Sequence, residues 1–389
     1  MAGSAHKVFL ILTLWGAGLL AGGQFAKVSV ILPEFQGIYP QQADQIAWLL
    51  TLVSVVGAVL GGAAATLANR LGLRYVLIAS LAVAGGLSIW QATFPPFTFM
   101  AALRVFEGVT HLGIVVTAPA LMAEVSTERW RGATMALWGT FFGVSFAIFG
   151  WFGIPFVDAF GVDHLLQLHG VCLFLIAGII GLLIRGHHAA DPSGIASHPQ
   201  GTSALKAFQD VRVVWSGVGW LFYTLTFLAL LTILPAQLSG ELKPHLTTAM
   251  SLVGIGTGML VLPIALLYLK ATTIVLTGFL FASVVTASGA WANPLVLSII
   301  LFSLLGLVQS GTFAAVAELN QSTAARTLGY GAMAQTGNLG NLIGTPVLLY
   351  VLEITDLGSM LLTTAVIYCI GFLSLFYLSR RIRAAESCS

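Results

Sequence analysis

Polar residues punctuate this chain at nearly regular intervals, and long apolar runs fill the space between them from end to end. With a window of about 19 residues, the runs fall at about 8–32, 46–68, 75–93, 97–122, 132–156 and 165–184. A second set falls at about 213–235, 247–268, 272–291, 294–315, 328–351 and 358–379. Each run is about long enough for a helix to cross ~30 Å of hydrocarbon, and each is apolar all round instead of along one stripe. Barrel strands would be short and alternating, so the pattern predicts helices. The expectation is an all-α integral membrane protein with twelve transmembrane helices in two pseudo-symmetric six-helix bundles. Residues 1–185 form the first bundle and 212–380 the second, with a cytoplasmic linker at 186–211 and a cytoplasmic tail at 381–389.

Composition agrees with a lipid environment. Hydrophobic residues make up 58% of the chain and charged ones 8%, whereas a soluble domain carries about a quarter charged residues to face water. The 43 glycines suit helices that approach closely in lipid through small residues. The first run is too long for a cleaved signal peptide and is expected to be retained as a helix.

The charges are sorted by side. With the N-terminus inside, the inside connections hold Arg70, Arg74, Arg129, Arg131, Arg185, Lys206, Arg212, Lys270 and Arg326, and the tail adds Arg380, Arg381 and Arg383. The outside connections hold Lys243 together with Glu34, Asp44, Asp158, Asp163, Glu241, Glu353 and Asp356. This positive-inside asymmetry puts both termini in the cytoplasm, and the expected location is a bacterial inner membrane. The net charge of +2 follows from that sorting, and no basic stripe with interleaved aromatics points to nucleic acid. Cys172, Cys369 and Cys388 have no disulfide or zinc spacing. His187, His188 and His198 in the linker lack accompanying Cys or acidic ligands. No metal or cofactor is expected.

The two halves echo one another. Ala123-Glu124 leads to Ala133-Thr134-Met135-Ala136, Gly139 and Gly143; Ala317-Glu318 leads to Gly331-Ala332-Met333-Ala334, Gly337 and Gly340. Between the second and third runs stands Asn69-Arg70-Leu71-Gly72-Leu73-Arg74, and the fourth run contains Arg104-Val105-Phe106-Glu107-Gly108. In this order, over the whole length, the chain resembles the major facilitator superfamily. The first segment is similar to the family's loop signature, with Asn69 in place of the usual Asp and Ala65 in place of the usual Gly. The second is similar to its Arg-x-x-x-Gly signature. Glu128-Arg129-Trp130-Arg131-Gly132 resembles the inside connection after the fourth helix. The fifth run lacks the Gly-Pro pair of the family's antiporter signature, which weighs against drug antiport. The resemblance implies a secondary transporter working by alternating access, with a gate formed by Asn69, Arg70, Gly72 and Arg74 against Glu124 and Arg131.

Three charges lie deep within the runs: Lys27, Arg104 and Glu107. Facing lipid at the membrane centre, each would cost about 2.5–3.5 kcal/mol, so they must face protein or a wet cavity. Arg104, Glu107 and His111 lie within about 60° of one another on a helix, and Gln24 and Lys27 are i, i+3 neighbours. Lys27 and Arg104 are expected ~10 Å from the outer surface, with Glu107 and His111 nearer the midplane. The resemblance implies that helices one, four, seven and ten line a central cavity, which would gather Gln24, Lys27, Arg104, Glu107 and His111 on one wall.

Two readings of these residues stand side by side. Arg104 and Glu107 could be a structural ion pair that pins the fourth helix. Alternatively, two cations against one carboxylate leave a positive excess for an anionic substrate, with Arg104 and Lys27 holding it and Glu107 and His111 carrying the coupled proton. The second half offers Tyr223, Gln309, Gln335 and Asn338 as uncharged binding groups; the amides serve equally well as interhelical glue. Trp215, Trp220 and Trp291 suit interfacial belts. The expected partners are therefore the bilayer, a small organic anion and a proton, bound by a monomer; the alternative is a proton-driven multidrug efflux antiporter. No HExxH or GxSxG occurs, and His164 and His169 have no partners at metal spacing, so an enzyme is not expected.

Overall fold

The computed structural model describes residues 2–184, 210–238, 242–291, 293–320 and 323–387. The linker histidines lie outside the described residues. Among those that are described, every regular element is a helix.

The first half comprises α1 (Ala2–Ser29), α2 (Leu32–Ile38), α3 (Ile46–Thr51), α4 (Ser54–Leu71), α5 (Leu73–Gln91), α6 (Phe97–Val125), α7 (Glu128–Gly139), α8 (Phe141–Ile148), α9 (Ile154–Phe160) and α10 (Val162–Leu183). The second comprises α11 (Val211–Ala236), α12 (Leu242–Gly256), α13 (Leu262–Ala265), α14 (Ala271–Ala287), α15 (Pro294–Leu319), α16 (Thr323–Ile354) and α17 (Leu357–Ser387). Ten helices among the described residues are long and apolar enough to cross a membrane, and α14 is a shorter apolar helix of 17 residues. The protein is an integral membrane protein. The last helix reaches Ser387, through most of the stretch read from the sequence as a tail.

Several runs that look continuous in sequence are broken in space. The run at 46–68 divides at Leu52 and Val53 into α3 and α4. The run at 132–156 becomes α7, α8, a π-turn at Phe149–Gly153 and α9, and its counterpart in the second half passes from α12 through a π-turn at Thr257–Val261 into α13. Each π-turn runs into a proline, Pro155 or Pro263. Proline brings no N–H to the i−4 carbonyl, and the wider i→i+5 turn absorbs the mismatch.

Packing is mainly within each half. In the first, α1 lies against α6, α8 and α10, and α5 against α6 and α10; in the second, α11 lies against α15, α16 and α17, and α14 against α15 and α17. The halves meet along α3–α4 against α16 and along α8 with its π-turn against α12. Glycines set the approach at these contacts. A Cβ on Gly344 would lie 1.9 Å from the Leu225 carbonyl oxygen, and one on Gly57 would lie 2.4 Å from Asn338. Trp215 is not in an interfacial belt. It is fully buried, its indole N–H donating to the Leu375 carbonyl (3.2 Å) and the Ser379 hydroxyl (2.9 Å), because an indole polar edge satisfied inside a bundle need not seek the headgroups.

Candidate functional site: a buried ion cluster between four helices

The α3–α4 break positions the first charge. Arg104 on α6 donates from Nε to the Leu49 carbonyl oxygen (2.5 Å) beside this break and from an Nη to the Gln24 carbonyl on α1 (2.7 Å). One turn along α6, Gly108 makes this approach possible: a Cβ there would sit 2.3 Å from the Val53 carbonyl oxygen. The Arg and the Gly of the Arg-x-x-x-Gly segment thus serve one contact, with the charge capping freed backbone and the glycine admitting it.

Arg104 also pairs with Glu107, which accepts from Lys27 Nζ (2.7 Å) and Gln91 Nε2 (2.8 Å) as well. Lys27 uses all three of its donors, the others going to Gln91 Oε1 (2.9 Å) and Ser88 Oγ (3.0 Å). Lys27, Arg104 and Glu107 have no exposed surface. In such a place an unpaired ion would cost several kcal/mol, so full hydrogen bonding is what makes the cluster tolerable.

A second polar strand runs through Gln24. The Thr110 hydroxyl donates to the Glu107 carbonyl (2.7 Å), so its oxygen accepts from Gln24 Nε2 (3.2 Å). That fixes the amide orientation and turns Gln24 Oε1 towards His111 Nδ1 (2.9 Å), which therefore carries a hydrogen. The edge of Phe25 packs on the His111 ring.

The sequence expectations separate here. Gln24, Lys27, Arg104, Glu107 and His111 do come together. They face the interior of the first group of helices, ringed by α1, α5, α6 and α10, with no exposed charge. Ser88, Gln91 and His169 belong to the same cluster and were not anticipated; the i, i+3 spacing of Ser88 and Gln91 was the available signal. On the other side, Tyr223 is buried on α11, stacked against Phe227, and its hydroxyl has no hydrogen-bond partner among the described residues. Gln309 is half-buried on α15. Gln335 and Asn338 lie at the α4–α16 seam, where Gln335 Nε2 donates to the Ala58 carbonyl (3.3 Å) and Asn338 abuts Gly57. These residues are not part of the ion cluster.

At the basic end, Gly72 joins α4 to α5 with a φ of 89°, a conformation that glycine adopts without strain. Arg74 donates to the Ile184 carbonyl at the end of α10 (3.2 Å) and lies over the Tyr75 ring, while Arg70 and Glu124 are exposed. The side chains of Asn69 and Arg131 lie outside the described residues. In the second half, Glu318, the counterpart of Glu124, accepts from the Ala271 N–H (2.6 Å) and the Thr272 hydroxyl (2.7 Å) at the start of α14.

Among the described residues, several contacts tie the halves together at the opposite end. Ser29 and Thr232 share a hydrogen bond, Lys243 pairs with Glu34 (3.6 Å), His245 stacks on Trp151, and the Thr248 hydroxyl donates to the Ala147 carbonyl (3.1 Å).

Residues 14–345 match the family model of the Major Facilitator Superfamily. The chain belongs to the major facilitator superfamily, a family of membrane transporters. Two uncharacterized MFS-type transporters of Mycobacterium tuberculosis, from strains CDC 1551 and H37Rv, are each 28% identical to it over 142 residues. The match covers 36% of this chain and only 20% of each relative's length.

Proposed function

We propose that this facilitator-family chain moves a small organic anion across the membrane by alternating access, coupled to protons. The observation that carries the reading is the unbalanced charge of the cluster: Lys27 and Arg104 share the single carboxylate of Glu107 at full burial. An anion docked beside Arg104 offsets the excess, and a planar guanidinium suits a carboxylate. Protonation of Glu107 leaves two cations facing a neutral acid, an arrangement that an anion relieves. Proton and anion therefore favour one another's binding, and the coupling is reciprocal. His111 is the second proton carrier. Gln24, Tyr223, Gln309, Gln335 and Asn338 supply uncharged contacts as the cluster opens.

The architecture we infer is twelve spans in two six-helix bundles, counting α3–α4, α7–α9 and α12–α13 as one span each and including α14 and α16. The charge sorting supports an orientation with both termini inside and the Glu34–Lys243 end outside, so this conformer is closed to the exterior; the membrane we infer is a bacterial inner membrane. The inner gate joins Asn69, Arg70, Gly72 and Arg74 to Glu124 and Arg131. The hold of Glu318 on the start of α14 suggests the same task for Glu124 at the start of α5. The transporter acts as a monomer and needs no cofactor.

A second reading has its own support. Phe25, Phe142, Phe227, Tyr223, Trp220 and Phe313 form a continuous row of aromatic contacts from α1 to α15, a lining that suits the apolar substrates of a proton-driven multidrug efflux antiporter. Flux of labelled carboxylates and of lipophilic cations into proteoliposomes distinguishes the two.

A further inference from the structure

His169 is a buried imidazole that the transport reading leaves without a role. It projects from α10 between α1 and α5, 3% exposed, and α1 is shaped around it: a Cβ on Gly23 would lie 3.0 Å from its Nε2. Its Nε2 faces the Leu20 carbonyl oxygen at 3.0 Å, and its Nδ1 faces Ser88 Oγ at 3.1 Å. Ser88 Oγ is in turn 3.0 Å from Lys27 Nζ and 2.8 Å from the Leu166 carbonyl oxygen.

Donor and acceptor accounting fixes what these atoms can do. A carbonyl oxygen only accepts, so Nε2 carries a hydrogen in every state. With a neutral ring, Nδ1 accepts from the Ser88 hydroxyl, whose oxygen accepts from Lys27. With a protonated ring, Nδ1–H donates to Ser88 Oγ, and the hydroxyl hydrogen turns to the Leu166 carbonyl. Both states are fully hydrogen-bonded, and they interconvert by moving a proton and rotating one hydroxyl.

We propose that His169, reached through Ser88, is a further seat for the proton of the Lys27–Glu107 cluster, beyond Glu107 and His111. This rests on the reading that the cluster carries the coupled proton. In the transfer, an N–H bond of the Lys27 ammonium breaks as that proton bonds to Ser88 Oγ; the original Ser88 proton leaves to form Nδ1–H on His169. Lysine becomes a neutral amine, histidine an imidazolium, and the total charge is unchanged. The step moves a positive charge away from Arg104, which matters when Glu107 is protonated and no longer separates the two cations. The charged groups facing His169 are Lys27 from α1 and, behind it, Glu107 and Arg104 from α6; α5 presents the uncharged Ser88, and the π-turn presents the Phe149 ring. On α10 itself, Asp163 and His164 pair with each other at the exposed start of the helix.

The test is ¹⁵N NMR of the imidazole in vesicles of phosphatidylethanolamine and phosphatidylglycerol, with the His169 signal assigned by its loss in His169→Gln. From about pH 9 down to the lowest pH at which the protein stays folded, the ring should pass from the Nε2–H tautomer to imidazolium. Ser88→Ala removes the acceptor of Nδ1–H and should move that midpoint to lower pH by about one unit or more, with Ser88→Thr restoring it. Lys27→Met removes a neighbouring cation and should move it to higher pH. A ring that stays neutral throughout, or a midpoint that shifts in the same direction in Ser88→Ala and Lys27→Met, overturns the proposal. The measurement needs no substrate. A silent His169 beside intact gradient-driven flux sinks this inference alone, whereas a titrating His169 without such flux sinks the transport reading alone.

Discussion

Lys27 and Glu107 form a 2.7 Å ion pair across the α1–α6 contact, and neither side chain has any exposed surface. The pair is unequal in consequence because Arg104 shares the carboxylate. Glu107→Gln leaves two buried cations, whereas Lys27→Met leaves a neutral Arg104–Glu107 pair. Loss of one partner of a buried pair costs about 3–5 kcal/mol, and Glu107→Gln should pay that in full, with Lys27→Met clearly milder. Thermal unfolding of the purified variants gives the order. Equal losses would mean that the net charge of the cluster is not what its surroundings resist.

Gly108→Ala puts a methyl group 2.3 Å from the Val53 carbonyl oxygen. The helices must separate, at a cost of about 1–3 kcal/mol, and Arg104 loses its hold on Leu49. Gly86→Ala on α5 meets nothing within 4 Å and should be neutral or slightly stabilising through helix propensity. A melting point unchanged by Gly108→Ala would show that the broken α3–α4 backbone does not lie tight against α6.

The orientation rests on charge sorting and is checked by cysteine labelling. In a background free of native cysteines, Asp158→Cys should react with an impermeant maleimide on intact cells, and Arg381→Cys only after permeabilisation. The reverse pattern would invert the topology.

The contact between Glu34 and Lys243 joins the halves at the end assigned to the exterior, and both residues are partly exposed. A pair of this kind is worth at most about 1 kcal/mol and is screened by salt. Lys243→Ala should therefore leave stability nearly unchanged while making a cysteine at Thr232 more accessible from outside. No change in labelling would remove this pair from the outer gate.

The parts of this molecule that were legible in its sequence are those where the membrane penalises error. A charge in an apolar run must find a partner, so Lys27, Arg104 and Glu107 announced themselves, and helical spacing brought His111 and Gln24 along. His169 gave no such signal, because a single imidazole in an apolar helix is compatible with many rotations about the helix axis, and the i, i+3 pair of Ser88 and Gln91 marks a face of its helix without marking what that face meets. Lacking that rotation, the sequence could not say that the cluster faces α5 and α10. The breaks at Leu52–Val53 and at the two π-turns were hidden for another reason: hydropathy reports burial and is blind to backbone hydrogen bonding. Trp215 misled because tryptophan is common in interfacial belts, while here Ser379 and Leu375 satisfy its N–H inside the bundle.

The central claim is that an organic anion and a proton are bound together at Arg104 and Glu107. Its most direct measurement is uptake and counterflow of labelled benzoate, as a probe carboxylate, in proteoliposomes with and without an inward proton gradient, comparing wild type with Glu107→Gln and Arg104→Ala. Wild type should accumulate the probe only with the gradient, Glu107→Gln should keep counterflow but lose accumulation, and Arg104→Ala should lose both. Undiminished benzoate flux in Arg104→Ala, or gradient-driven accumulation in Glu107→Gln equal to wild type, would contradict the claim and leave the cluster a structural pin.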